Sequence, residues 1–142
     1  MILVDANLLV YAANPGSPFH AMARDWLDSR LTGVESVGLP WTALLGFARL
    51  SCTRAVLDPP ATPPDAWATV TDWLAQPRVW VPQPTRRHGE IVGRLLEHET
   101  RADLIPDAHL AALAIEHGLV LCSADRDFGR FEGLRWRNPL AA

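Results

Sequence analysis

Hydrophobic residues in this chain fall into short unbroken runs and into longer stretches where they recur every three or four positions. The unbroken runs, which predict strands buried on both faces, are residues 1–4 and 120–122, with weaker ones at 37–39, 79–81 and 134–136. The recurring pattern predicts amphipathic helices over about residues 17–31, 41–53, 65–74, 86–97 and 106–117. Strands that alternate with helices in this way are typical of an α/β fold, a single-domain three-layer α/β/α sandwich with a mostly parallel central sheet.

The segments that connect these elements are consistent with one domain, residues 1–142. A proline-rich stretch at 57–64 cannot continue a helix and is predicted to be the main internal loop, and no interdomain linker or repeat is visible. Neither an apolar run long enough to cross a bilayer nor a signal peptide is recognisable, so we expect a cytoplasmic protein that does not bind membranes.

Charge and composition narrow the possible functions. The net charge of -3 argues against a protein that coats nucleic acid, although an enzyme with a local basic rim remains possible. All 13 basic residues are arginine, which excludes a P-loop lysine or a Schiff base and suits bidentate phosphate contacts, although GC-rich coding alone would explain it. Cys52 and Cys122 lack the spacing of a zinc site or a disulfide framework.

Three aspartates follow the predicted strands or begin a helix, at positions where parallel α/β sheets bind ligands. Asp5 ends the first strand, Asp125 follows the strand at 120–122, and Asp107 stands at a helix start. Asp107 taken alone reads as a helix N-cap and Asp125 as a turn residue. Asp5 is harder to explain structurally, because a carboxylate that ends a buried strand is costly without compensation.

Carboxylates gathered at one sheet edge repel one another unless a cation lies among them. Hard oxygen ligands favour Mg²⁺ or Mn²⁺ over zinc. Such an ion lowers the pKa of a bound water and neutralises charge on a phosphoryl oxygen, so the pattern favours metal-assisted phosphodiester hydrolysis.

With these residues in view, the chain resembles the PIN-domain family and, within it, the VapC-type ribonuclease toxins of type II toxin–antitoxin pairs. The resemblance covers essentially the whole length, and it depends on the order and spacing of several motifs. These are VDANLLVYA at 4–12, PW at 40–41 with FARL at 47–50, IPDAHLAALA at 105–114, SADRDF at 123–128 and WRNPL at 136–140.

The resemblance implies an acidic cluster that binds Mg²⁺ or Mn²⁺ and hydrolyses RNA. Asp5, Asp107 and Asp125 match the family's first, third and fourth acids, which are catalytic and metal-binding. Possible accessory residues are an acid matched by Asp127 and polar positions near the metal matched by Asn7 and Ser123. A VapB-type antitoxin that inserts a segment into the acidic groove and a homodimer that forms a longer RNA groove are the implied partners.

One position departs from the family pattern. Gly46 stands where the family usually has a glutamate, a few residues before Arg49. This loss would weaken metal binding, so the alternative is a PIN-like module that binds RNA or a protein partner without efficient cleavage. A haloacid-type phosphatase or a receiver domain is disfavoured, because Asn7 replaces the second aspartate of the former and the lysine of the latter is absent.

Other residues receive structural interpretations first. Trp26, Trp67 and Trp73 have the spacing of a packed helix face or a dimer face, and His109 is expected at the solvent edge. Residues 86–88 form a short basic cluster at a helix start, with contact to an RNA backbone as the alternative. Among the remaining arginines we expect Arg49, Arg126 and Arg130, which flank the predicted acids, to guide phosphate.

Overall fold

A five-stranded, wholly parallel sheet forms the centre of the molecule. The structure is a computed structural model and describes residues 1–141. The strand order is β3-β2-β1-β4-β5, so the first strand is central and the chain builds outward on both sides. The strands are β1 (Ile2–Val4), β2 (Val37–Gly38), β3 (Val79–Trp80), β4 (Val120–Cys122) and β5 (Trp136–Arg137).

Helices cover both faces of this sheet, as the alternating pattern predicts. They are α1 (Ala6–Ala13), α2 (His20–Leu31), α3 (Trp41–Ser51), α4 (Pro63–Leu74), α5 (His88–Leu96) and α6 (Ile105–His117), with 3₁₀ turns at Ala102–Leu104 and Arg126–Arg130. The three-layer α/β/α architecture is therefore confirmed. Among residues 1–141, no helix is long and apolar enough to cross a membrane.

Two hydrophobic cores lie on opposite sides of the sheet. Ile2 and Val4 of β1 contribute to the core shared with α1 to α4, whereas Leu3 belongs to the core shared with α6. This alternation follows from the pleat of a strand, in which successive side chains point to opposite faces. The central strand is thus buried on both sides, and Asp5 directly follows its carboxyl end.

The structure corrects several sequence predictions. Helix α1 was not predicted at all, and α2 begins at His20 rather than near residue 17 because Ser17 accepts from the amide of Phe19 in a turn before the helix. Helix α4 begins two residues earlier than predicted, with Thr62 as its N-cap. The last strand lies at Trp136–Arg137, not at 134–136.

Trp67 also differs from a simple core residue. Its side chain is 41% exposed and lies parallel to Trp41, with ring centroids 6.4 Å apart. Trp73 does pack inward, 4.6 Å from the ring of Phe47.

Candidate metal centre and its arginine rim

Asp5 stands at the junction between β1 and α1. Its backbone amide continues the pairing with β4 through the carbonyl of Cys122, at 3.0 Å. One carboxylate oxygen accepts from the amide of Ala6 at 2.7 Å, so Asp5 is the N-cap of α1. The second oxygen accepts from the Ser123 hydroxyl, also at 2.7 Å. Burial raises the pKa of Asp5, while these two hydrogen bonds oppose the rise.

Ser123, at the end of β4, joins the segments that carry the first and last acids. Its buried hydroxyl donates to Asp5 and accepts both from the side-chain amide of Asn7 at 3.1 Å and from the backbone amide of Asp125 at 3.0 Å. The Asn7 carbonyl oxygen in turn accepts from the amide of Ala124 at 3.3 Å. Asn7 and Ser123 therefore hold the β1–α1 and post-β4 segments together by bonds to protein groups.

Three further carboxylates converge beside this junction. Asp107, Asp125 and Asp127 each offer an oxygen, and these oxygens all lie within 4.8 Å of one another. Asp125 also caps the following 3₁₀ turn by accepting from the Asp127 amide at 2.9 Å. Asp5 is not in this closest group, although its charge acts on Asp107 and the charge of Asp125 acts on Asp5. The structure thus brings two of the predicted metal ligands, Asp107 and Asp125, into one group, whose third member is Asp127 rather than Asp5.

Asp107 is not a helix N-cap. Helix α6 has Leu104 at its N-cap, and Asp107 lies in the first turn with its carboxylate half-buried. Burial, followed by the charges of Asp125 and Asp5, raises the pKa of Asp107 to about 6. No hydrogen bond to this carboxylate occurs within residues 1–141. A cation bound here would stabilise the ionised form of Asp107.

The chemistry of the donor set fits a divalent ion. Three carboxylate oxygens lie close enough together to bind one ion, and they belong to Asp107, Asp125 and Asp127. Asp5 adds a further negative charge nearby. Carboxylate oxygens suit Mg²⁺ or Mn²⁺, which would offset the mutual repulsion that raises the pKa of Asp107.

Two arginines border the acidic group. Arg101 contacts both oxygens of Asp127, at 3.3 and 3.2 Å, and Arg130 lies 3.6 Å from the same carboxylate. Arg130 was predicted from the sequence as a phosphate-guiding residue. Arg101 was missed, because it precedes the predicted helix by several residues and meets Asp127 only through the fold.

Gly46 faces the start of α1. A Cβ built on it would lie 3.5 Å from the Cβ of Ala6, which is ordinary van der Waals contact. Ala6 directly follows Asp5, so the Cβ of a side chain at position 46 would have room beside the junction that carries Asp5. Helix α3 itself supplies no carboxylate there.

His109 is not a free solvent-edge residue. Its Nδ1 lies 2.8 Å from Nε2 of His88, and Nδ1 of His88 lies 3.1 Å from the buried carboxylate of Glu116. Burial, together with the neighbouring His88, lowers the pKa of His109. These contacts fasten α5 to α6 and leave His109 out of the acidic group.

Comparison with known proteins places these features in a family. The PIN domain model matches residues 2–134. Ribonuclease VapC37 of Mycobacterium tuberculosis is 48% identical over 99% of both chains, and ribonuclease VapC33 of the same species is 40% identical over 99% of both.

Solved structures share the architecture. VapBC2 of Rickettsia felis, bound to a DNA fragment from its promoter, superposes with a TM-score of 0.69 at 16% identity over 97% of this chain and 98% of the other. The toxin VapC20 of M. tuberculosis, described as cleaving the sarcin–ricin loop, gives 0.67 at 22% identity over 95% and 99%. The family model, the full-length relatives and the shared fold agree, and the chain belongs to the PIN-domain family.

Proposed function

We propose that this chain is the toxin of a type II toxin–antitoxin pair, an endoribonuclease that hydrolyses RNA phosphodiester bonds with Mg²⁺ or Mn²⁺. The observation that carries the proposal is the convergence of Asp107, Asp125 and Asp127 next to Asp5, with the pKa of Asp107 raised by burial and by the neighbouring carboxylates. Full-length similarity to VapC ribonucleases supports RNA as the substrate.

In this proposal Asp5, Asp107 and Asp125 hold the ion, and Asp127 is accessory. When bound, the ion lowers the pKa of a water molecule and neutralises charge that develops on the phosphate. Ser123 keeps one oxygen of Asp5 oriented by donating to the other at 2.7 Å, and Asn7 holds Ser123 in place. These side chains act as positioning residues, because preorganised ligands lose less entropy when the ion binds.

The same resemblance supports the partners. A VapB-type antitoxin is proposed because VapBC complexes share this fold, and a homodimer is proposed to extend the RNA groove. The whole chain, residues 1–142, acts as one nuclease domain in the cytoplasm, the compartment in which such a toxin meets RNA.

The second candidate is a PIN-like module that binds RNA or a protein partner without efficient cleavage. Gly46 favours it, since α3 supplies no carboxylate beside Ala6.

An RNA cleavage assay that compares the wild type with Asp5→Asn distinguishes a ribonuclease from a non-catalytic binding module. We expect the wild-type protein with Mn²⁺ to cleave, and Asp5→Asn to lose cleavage while keeping its circular dichroism spectrum, because asparagine preserves the shape but not the charge. Asp72→Asn is the matched control, since Asp72 is exposed on α4. Full activity of Asp5→Asn would refute the proposed site, and no cleavage by the wild type would favour the binding module.

A further inference from the structure

Asp127 differs from the other acids of the site because two arginines contact its carboxylate. Arg101 approaches both of its oxygens, and the terminal nitrogen of Arg130 lies 3.6 Å from one of them. Two guanidinium groups therefore share one carboxylate. We propose that Arg101 and Arg130, held in place by Asp127, bind a phosphate of the RNA backbone beside the cleaved bond. This inference rests on the proposed ribonuclease function and deepens it.

The charges around the two acids are distributed unequally. Asp127 is compensated by two cations, whereas an oxygen of Asp107 lies within 4.8 Å of oxygens of two other carboxylates. An incoming cation therefore gains more at Asp107 and Asp125 than at Asp127, where it would be repelled by the arginines. The structure thus favours Asp127 as the residue that places the arginines rather than as a principal metal ligand.

Each arginine also forms an ion pair with a second carboxylate. Arg101 donates from Nε and Nη2 to the carboxylate of Asp103, at 3.2 and 2.6 Å. Arg130 approaches Glu99 with Nε at 3.0 Å and Nη2 at 3.3 Å, and the Glu99 side chain is only 14% exposed. These contacts limit the directions in which each guanidinium can point, and they leave Nη1 of each arginine on the side of Asp127.

Donor capacity remains for a ligand. A guanidinium has five N–H groups, and the contacts of Arg101 use four of them. The side chains of Arg101 and Arg130 are 44% and 37% exposed, so a phosphate can reach them. Exposed ion pairs of this kind are weak, so the two guanidinium groups can bind a phosphate while they remain beside Asp127.

The position of the pair suits the proposed reaction. An oxygen of Asp127 lies within 4.8 Å of oxygens of Asp107 and Asp125. A phosphate that reaches an ion held by those acids would therefore come close to the guanidinium groups. Beside Arg130, a cavity of about 560 Å³ is lined by residues that include Arg94 and His98 as well as Glu99 and Glu132. That volume is in the usual range for small-ligand sites and gives space for the adjoining nucleotide.

A purely structural role is the competing explanation. The ion pairs Arg101–Asp127 and Arg130–Glu99 join the segment before α6 to the turn after β4, and they could serve only to hold the two segments in position. Under that explanation, loss of either arginine would disorder the acids and weaken metal binding. Under ours, loss of a neighbouring positive charge leaves metal affinity unchanged or higher and weakens RNA binding.

The test measures RNA and metal binding separately. Arg101→Met and Arg130→Met are made in the Asp5→Asn background, which stops cleavage, and binding of a short labelled single-stranded RNA is followed by fluorescence anisotropy over a range of salt. Each substitution is expected to weaken binding and to lower the slope of log affinity against log salt by about 0.7, the value for one lost phosphate contact on a single strand. Mn²⁺ affinity of the same arginine variants, with Asp5 intact, is measured by calorimetry.

Two controls make the outcome decisive. Arg24→Met removes the same charge from an exposed position on α2 and should leave the salt slope unchanged. Arg101→Lys keeps a charge and should retain most of the slope. Slopes of the Arg101 and Arg130 variants that equal that of Arg24→Met, or a loss of Mn²⁺ affinity in both, would overturn the proposal. Absence of RNA cleavage by the wild-type protein with Mn²⁺ would instead refute the proposed function, so the two failures are distinguishable.

Discussion

At the scale of single residues, one hydroxyl organises the site. Ser123 donates to Asp5 and accepts from Asn7 and from the amide of Asp125, so its full hydrogen-bonding capacity is used inside the protein. A buried polar group that is fully satisfied in this way fixes its neighbours. The orientation of Asp5 relative to Asp125 therefore depends on Ser123.

The raised pKa of Asp107 predicts opposite pH trends for stability and for metal binding. The folded protein holds the Asp107 proton up to about pH 6, whereas the unfolded chain releases it near 3.8. The resulting stabilisation is complete below the unfolded pKa and is lost as the pH rises through about 6. The contribution of Asp107 to the stability of the metal-free protein is therefore expected to fall between pH 4 and 7, which denaturant unfolding of the wild type and of Asp107→Asn at the two pH values checks.

Metal binding requires the ionised carboxylate, so it follows the reverse trend. At pH 5 about a tenth of Asp107 is ionised if its pKa is about 6, and Mn²⁺ affinity is expected to be about tenfold lower than at pH 7.5. Calorimetric Mn²⁺ titrations at both pH values check this, with Asp107→Asn as the control that removes the group. Equal Mn²⁺ affinity of the wild type at the two pH values would contradict the expectation.

The positions of the acids after strands could be predicted from the sequence, but the side chains that contact them could not. Asp5 and Asp125 follow buried strands, and this position is visible in the pattern of apolar runs. The contact between Arg101 and Asp127 spans 26 residues and depends on how two irregular segments meet. The hydrogen bonds from Glu116 through His88 to His109 likewise join two helices, so the partners of the half-buried His109 could not be predicted either.

At the scale of elements, α1 is the main error of the sequence analysis. Its eight residues, Ala6–Ala13, are almost all apolar, and an apolar run without polar spacing does not distinguish a helix from a strand. The available signal was Asp5, an N-cap residue directly before the run. The helices with clear polar faces were located, and their ends differed by a few residues because caps such as Thr62 and local turns set them.

Helix α3 gives a prediction about the missing acid. Gly46→Glu is expected to tighten Mn²⁺ binding by about an order of magnitude, because affinity at oxygen-ligand sites rises with the number of charged ligands. Space for the Cβ exists beside Ala6, and replacement of a helical glycine is itself favourable. Calorimetry with Mn²⁺ measures the change.

Gly93→Glu is the matched control for that experiment. Gly93 is exposed in helix α5, and a Cβ there would contact nothing within 4 Å. The same change in charge and helix propensity then occurs away from α3. Unchanged Mn²⁺ affinity in Gly46→Glu, or an equal gain in Gly93→Glu, would show that position 46 does not face the ion.

At the scale of the whole molecule, the parallel sheet determines where chemistry can occur. The central strands β1 and β4 run side by side and end together, so Asp5 and the segment with Ser123, Asp125 and Asp127 meet at one edge. The fold class was predictable because continuous apolar strands alternate with amphipathic helices. The side-chain geometry at the edge was not, since it depends on loop conformations that the pattern does not encode.

The most direct test of the central claim is RNA cleavage by the purified protein with its divalent ions removed and then restored. The structure predicts that EDTA abolishes cleavage and that excess Mn²⁺ or Mg²⁺ restores it, because the carboxylates around Asp107 need a cation to act together. Asp5→Asn protein purified in parallel must stay inactive with the metal, which excludes a contaminating nuclease. Undiminished wild-type cleavage in EDTA would contradict the account.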